Sequence, residues 1–206
     1  VNVSPVGDIS VLASPGGSVN VAQCDLDITA SGLDNITANT VGGDIPTGVW
    51  FSNQFGANVG GSPSELTFEF SAPVNGFTLS FYAQQAEEIF TFSEPATSVT
   101  PLANSTFGVA PSITSLVTLE NGNTELHSQL TDSFATDTSP SFGSDSTVVW
   151  DFATPVTSLT LTPSGPLTYS DPVPGAVGTP PYNGAPVYNG TVVAADAIDC
   201  DIPEAD

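Results

Sequence analysis

Two cysteines stand among aspartates at opposite ends of this 206-residue chain. Cys24 is followed by Asp25 and Asp27, and Cys200 is flanked by Asp199 and Asp201. If the two sulfurs pair, four carboxylates gather at one disulfide. In extended strands, residues two apart share a face, so Asp25 would lie with Asp27 and Asp199 with Asp201. Converging carboxylates raise one another's pKa or recruit a hard cation with oxygen ligands, and Ca2+ is the cation this set invites. The plain alternative is that both faces look onto water. A second acidic group, Asp34, Asn35 and Asp44 in SGLDNITANTVGGD, lacks the spacing of an EF-hand loop.

Other chemistries find less support. His127 is the sole histidine, with Ser128 and Asp132 close behind it. A nucleophilic triad is defined by spatial geometry, so that nearness carries little, and no Gly-x-Ser-x-Gly elbow is present. His127 reads as a surface strand residue beside a turn. Structural zinc needs four Cys/His ligands and the chain has three. SPGGSVN has no lysine for a phosphate. A carboxylate pair of the glycosidase kind carries no signal, because 22 acids make some pair inevitable. No catalytic residue is expected, and the chain reads as a non-enzyme.

There is no lysine and no arginine, and the formal charge is -22. Ordinary usage would supply roughly twenty basic residues in this length. Phosphate backbones lose their usual anchor, so nucleic acid is not an expected partner, and anionic membrane surfaces repel the chain. Proteases that cut after basic residues find no site. Carboxylates ~5 Å apart repel by about 1 kcal/mol in water, and salt near 1 M shortens the Debye length to ~3 Å. A saline, Ca2+-containing extracellular medium suits such a molecule. Two cysteines fit either one disulfide in an oxidising compartment or two buried thiols. Closing a loop this long would contribute ~5 kcal/mol by chain entropy. No apolar run reaches the ~18 residues of a membrane-spanning helix, and VNVSPVGDIS reads as strand and turn, as in a processed chain.

The elements that must position these residues are strands. Short alternating runs of Val, Ile, Phe and Thr, broken by 19 Gly and 18 Pro, predict an all-β antiparallel sandwich in a single domain. FEFSAPVNGFTL (68–79) aligns with WDFATPVTSLTL (150–161) at an offset of 82 residues, and FTFSEPATSVT (90–100) is a fainter third copy. Each predicts a strand, a proline-bearing kink and a second strand. Phe68 and Phe70 should share one face, as should Trp150 and Phe152, with Glu69 and Asp151 opposite. Pro73 and Pro155 cannot donate to a ladder and belong at a bend, bulge or edge. The pattern is either an old duplication or common β-arch chemistry.

Asn-Gly in TLENGNTEL (118–126) predicts a hairpin, TVVAADAI (191–198) a last strand, and AQQAEEIF (83–90) a brief helix or turn. VNVSPVGDISVLA predicts a first strand, unpaired within its own domain if it serves as a donor arm over 1–12. The Pro/Gly-rich stretch 171–190, with Tyr169, Tyr182 and Tyr188, predicts a long ordered loop, either a passive connection or an interface. Four Asn-x-Ser/Thr sequons, at Asn2, Asn35, Asn104 and Asn189, mark surface positions.

The Phe-x-x-Pro-Val-x-x-Phe/Leu-Thr-Leu arch resembles that of secreted bacterial surface proteins with jelly-roll ectodomains, including the PEP-CTERM-sorted group. That resemblance covers about residues 60–165 and implies a jelly-roll-like sandwich at a cell surface. The sorting tail that names the group is not in this sequence, and its anchoring is not carried over. The basic-free, methionine-free composition resembles the spinins, subunits of rigid tubular spinae on marine bacteria.

The leading expectation is a secreted subunit that assembles with copies of itself into a filament, tube or sheath. Strand donation would use Val1, Val3, Val6, Ile9 and Val11, and lateral sandwich packing would leave the same signature. The rival is a Ca2+-dependent carbohydrate-binding or adhesive module, with Tyr182 and Tyr188 stacking on sugar rings.

Overall fold

The computed structural model describes residues 3–34, 36–40, 46–51, 65–84, 89–102, 117–128, 144–164 and 191–200. Among these residues twelve antiparallel strands run in chain order: β1 (Val3–Gly7), β2 (Ser18–Val21), β3 (Leu26–Ser31), β4 (Ile36–Asn39), β5 (Gly48–Phe51), β6 (Leu66–Gln84), β7 (Ile89–Phe92), β8 (Ser98–Pro101), β9 (Val117–Glu120), β10 (Glu125–Ser128), β11 (Ser144–Ser164) and β12 (Thr191–Cys200). A 3-10 turn, Ser10–Ala13, follows β1. Among the described residues there is no helix long and apolar enough to cross a membrane.

Two strands are far longer than the rest, and both carry the repeated arch. In β6, Leu66, Phe68 and Phe70 are buried, and so are Phe77, Leu79 and Phe81. The inward set therefore changes from even to odd numbers, which an unbroken period of two does not allow. The change happens at paired bulges. Residues 152–155 of β11 lie opposite Asn75 alone, and residues 70–73 of β6 lie opposite Thr157 alone, with Val74 facing Val156 between them. Pro73 and Pro155 sit inside these bulges, where no ladder donor is required. Phe152 begins its bulge and is only half-buried, whereas Trp150 is fully buried.

The bulges let both strands pass from one layer to another. Along the ladder, β5 and β7 are four steps apart through β12, β6 and β11, or about 19 Å on a flat sheet. Yet the rings of Phe51 on β5 and Phe90 on β7 lie 5.3 Å apart, edge to face. Phe81 also meets Phe90 at 5.2 Å, and Phe92 meets Trp150 at 4.9 Å. The sheet is thus folded back on itself as a sandwich with an aromatic core. Each such pair adds about 0.5–1.5 kcal/mol beyond the burial of its area.

The register exposes an internal pseudo-twofold repeat that extends beyond the quoted motif. Phe77 pairs with Trp150 and Phe68 with Leu159, and adding 82 to the first member exchanges one pair for the other. Val74 with Val156 maps onto itself, so a pseudo-dyad passes between these two valines. The flanking strands obey it. Beside β6 stand β3 and β12, and beside β11 stand β8 and β7. The hairpin β4–β5 joins β12 as β9–β10 joins β7, with Thr37–Trp50 and Thr118–His127 in matching places. In chain order, β3 to β7 and β8 to β12 are two copies of one five-stranded unit. Neither copy makes a layer alone: β3, β7 and half of β6 share a layer with β9, β10 and half of β11.

One expectation changes and two others gain detail. β1 is not unpaired: it lies antiparallel on β12 of its own chain, Val3 opposite Asp199 and Gly7 opposite Ala195. The stretch 83–90, expected as a brief helix or turn, is strand at 83–84 and 89–90, which close β6 and open β7, and residues 85–88 lie outside the described residues. The Asn-Gly hairpin forms, but through a four-residue turn in which Asn121, Gly122 and Asn123 all have positive φ. The faint copy at 90–100 is a true arch, with β7 in one layer and β8 in the other.

Candidate functional site

Three places hold the residues that could act on a partner or ligand. The first is the disulfide corner. Cys24 and Cys200 are bonded, with Cα atoms 6.0 Å apart, and the described residues contain no free cysteine. Cys24 belongs to the turn 22–25 between β2 and β3, and Cys200 ends β12. The pseudo-dyad gives this bond a meaning. On the opposite flank the end of β7 runs through residues 93–97 into β8, and the equivalent strands here, β12 and β3, are joined by sulfur instead of peptide.

The acids at this corner do not adopt the arrangement the strands predicted. Asp25 lies in the turn, in the left-handed region at φ 49°, so it does not share a strand face with Asp27. The tight β2–β3 hairpin consumes residues 22–25, and a short polar residue is tolerated there. Asp27 stands exposed on β3, its carboxylate accepting from Asn20 Nδ2 at 2.8 Å while its N–H donates to Ser71 Oγ at 2.9 Å. Asp199, half-buried on β12, faces Gly76 and Val3 across the ladder. Asp201 lies outside the described residues. Among the described residues no three Asp, Glu, His or Cys side chains converge as metal ligands would.

The second place is a polar patch on the outer face of β6, β11 and β12, which sequence reading missed. Ser80 Oγ donates to Asp196 Oδ2 at 2.5 Å and stands 2.9 Å from Thr147 Oγ1. Asp196 occupies a bulge in β12 between Ala195 and Ala197. Its residue surface is exposed, yet desolvation of the carboxyl pushes its pKa up, and the Ser80 hydrogen bond only partly opposes this. Burial also raises Tyr82, with Asp196 and Asp145 adding repulsion. Trp50, Val192 and Tyr82 lie in register across β5, β12 and β6. Val192 and Ala194, only 5% and 7% exposed, belong to this outer face rather than to the core. By the pseudo-dyad, Ser80 and Asp196 correspond to Thr162 and Ser93, so the patch joins residues of both copies and its carboxylate is not repeated at the dyad-related place. The only sequence signal was Asp196 interrupting an apolar final strand.

The third place is the N-terminal segment. Val6, Ile9 and Leu12 are 8%, 0% and 0% exposed and belong to the core. Val3 and Val11 are 57% and 47% exposed, the large hydrophobics left on the surface among the described residues. Val1 lies outside the described residues, as do Tyr169, Tyr182, Tyr188, the 171–190 loop, Asp44, Asp132 and all four sequon asparagines. His127 Nε2 lies 2.8 Å from Glu125 Oε2 on the surface of β10. Comparison with protein-family models, with curated proteins and with solved structures finds no match to this chain.

Proposed function

We propose that this chain is a secreted structural subunit that assembles with copies of itself into an extracellular filament, tube or sheath. The observation that carries the reading is the placement of Val3 and Val11: among the described residues, the exposed large hydrophobics both fall on one terminal segment. Burying each in a contact would contribute about 1.5 kcal/mol. The net charge of -22 opposes contact between copies at low ionic strength, and salt or Ca2+ relieves that opposition. A disulfide-closed sandwich without basic cleavage sites suits a medium rich in proteases. The resemblance to secreted jelly-roll surface proteins and to spinins points the same way.

The test is sedimentation and negative-stain microscopy of the purified chain across a NaCl and Ca2+ series. Sedimenting, regular assemblies are expected in saline buffer. The V3S/V11S variant should keep its melting temperature while its critical concentration rises at least tenfold. A chain that stays monomeric throughout the series overturns the proposal. Deleting residues 1–12 is a poor probe, since it also removes Val6, Ile9 and Leu12 from the core.

A Ca2+-dependent carbohydrate-binding role draws on a different observation: Trp50 and Tyr82 flank Val192 beside Asp196, a mixture of rings and carboxylate of the kind that holds sugars. Ca2+-dependent retention of a monomer on immobilised glycan, lost in W50A, would favour that reading.

A further inference from the structure

We infer that residues 3–13 are an exchangeable element: in the assembled state this segment leaves its own β12 and occupies the same place on the β12 of a neighbouring copy. The inference rests on the polymer reading above and names the contact by which it would form.

The segment is separable. Its covalent link to the body is the turn 14–17, where Gly17 N–H donates to the Ser14 carbonyl at 2.9 Å and Gly16 has φ +79°. Proline second and a left-handed glycine third define a type II turn, a local device that closes the segment back on itself. Gly17 is pressed against Val11, and a Cβ there would lie 2.0 Å from the Val11 carbonyl oxygen. The closed form therefore depends on two adjacent glycines, the residues that also open most freely into an extended hinge.

The strand repeat is complete without it, although its side chains Val6, Ile9 and Leu12 fill seats in the core. Strands β3 to β12 account for both five-stranded copies, and β1 has no counterpart in the repeat. The part of β12 that β1 covers, Ala195 to Asp199, has its opposite flank already paired to β6. Release of the segment therefore uncovers one strand edge and the seats of Val6, Ile9 and Leu12. An identical segment from a second copy fits that vacancy residue for residue, so exchange conserves these contacts. Every subunit then has one donor and one acceptor at separate points, an arrangement that propagates unless the rotation closes a ring. Val3 and Val11 flank the exchanged core residues and come to lie at the junction between copies.

Pro5 and Ala197 are ladder partners and suit a reporter pair. The variant P5C/A197C, with the native cysteines kept, is assembled in saline under mild reduction, then oxidised and run on a non-reducing denaturing gel. A ladder of covalent multimers is expected. Oxidation before assembly should lock the segment at home and abolish sedimentation. Assemblies whose cross-links stay within single chains would overturn exchange while leaving the polymer reading intact, and so would assembly from pre-locked monomer. Covalent dimers alone would overturn the open-ended form. Absence of any wild-type assembly would instead remove the polymer reading. If the cysteine variant does not fold, G16V supplies the second measurement. A β-branched residue at this left-handed position weakens the closed turn, and assembly should accelerate about tenfold; an unchanged rate counts against exchange.

Discussion

The absence of lysine and arginine leaves most carboxylates to solve their own electrostatic problem, and the solutions differ by residue. Asp196 is desolvated and raised. For an acid whose folded pKa exceeds its unfolded value, the stabilisation is present below the unfolded pKa and is lost as pH rises through the folded one. At neutral pH the ionised carboxylate therefore works against the fold. D196N, whose amide oxygen still accepts from Ser80, should melt higher than the parent at pH 7, with the gap closing toward pH 3.5 in thermal scans. Glu125 behaves oppositely: hydrogen bonds from His127 and Asn121 lower its pKa. Its contribution is present above the ordinary glutamate range and is lost as pH falls through the lowered value. H127A should move the Glu125 carboxyl titration upward toward that range in an NMR series. In the core, Trp150 is fully buried and its Nε1–H donates to the Glu94 carbonyl at 3.1 Å. W150F leaves that oxygen without its donor and a small void, at a cost of about 2 kcal/mol in denaturant unfolding.

At the scale of elements, the paired bulges in β6 and β11 determine which face of each half points inward. Deleting Ala72 removes one residue from the span over which the inward set changes parity. Either Leu66, Phe68 and Phe70 or Phe77, Leu79 and Phe81 would then be driven toward water. The deletion should abolish the cooperative melt and the near-UV signal of the aromatic core, while the equivalent deletion of Thr154 should do the same through β11. Much of this was legible beforehand, because alternation and proline are local signals. The arches at 68–79 and 150–161, the hairpin near Asn121 and the last strand could all be read from residue order. The pairing of one arch with the other was not legible, since 82 residues separate partners that only tertiary packing brings together. The same limit hid the patch: nothing local links Ser80 to Asp196 or Thr147. Asp25 was misplaced for a different reason, a turn whose left-handed residue is neither glycine nor asparagine.

At the scale of the molecule, the described residues form an intertwined pair of five-stranded copies with one core, and the N-terminal addition lies beside the sulfur bridge. C24S/C200S reopens a loop with a sequence separation of 176 residues, for which chain entropy estimates a loss of about 5 kcal/mol. Denaturant unfolding should show a loss of that order, with the sandwich still formed in dilute buffer. The bridge has a mechanical consequence too. In an exchanged polymer, a neighbour's segment grips β12 just before Cys200, while the subunit's own outgoing segment leaves just before β2 and Cys24. Tension along the fibre would enter and depart through these two cysteines, crossing the subunit by a covalent shortcut. The aromatic interior would ride beside the line of force, and stretching would be resisted first by sulfur and by strand shear at the junctions.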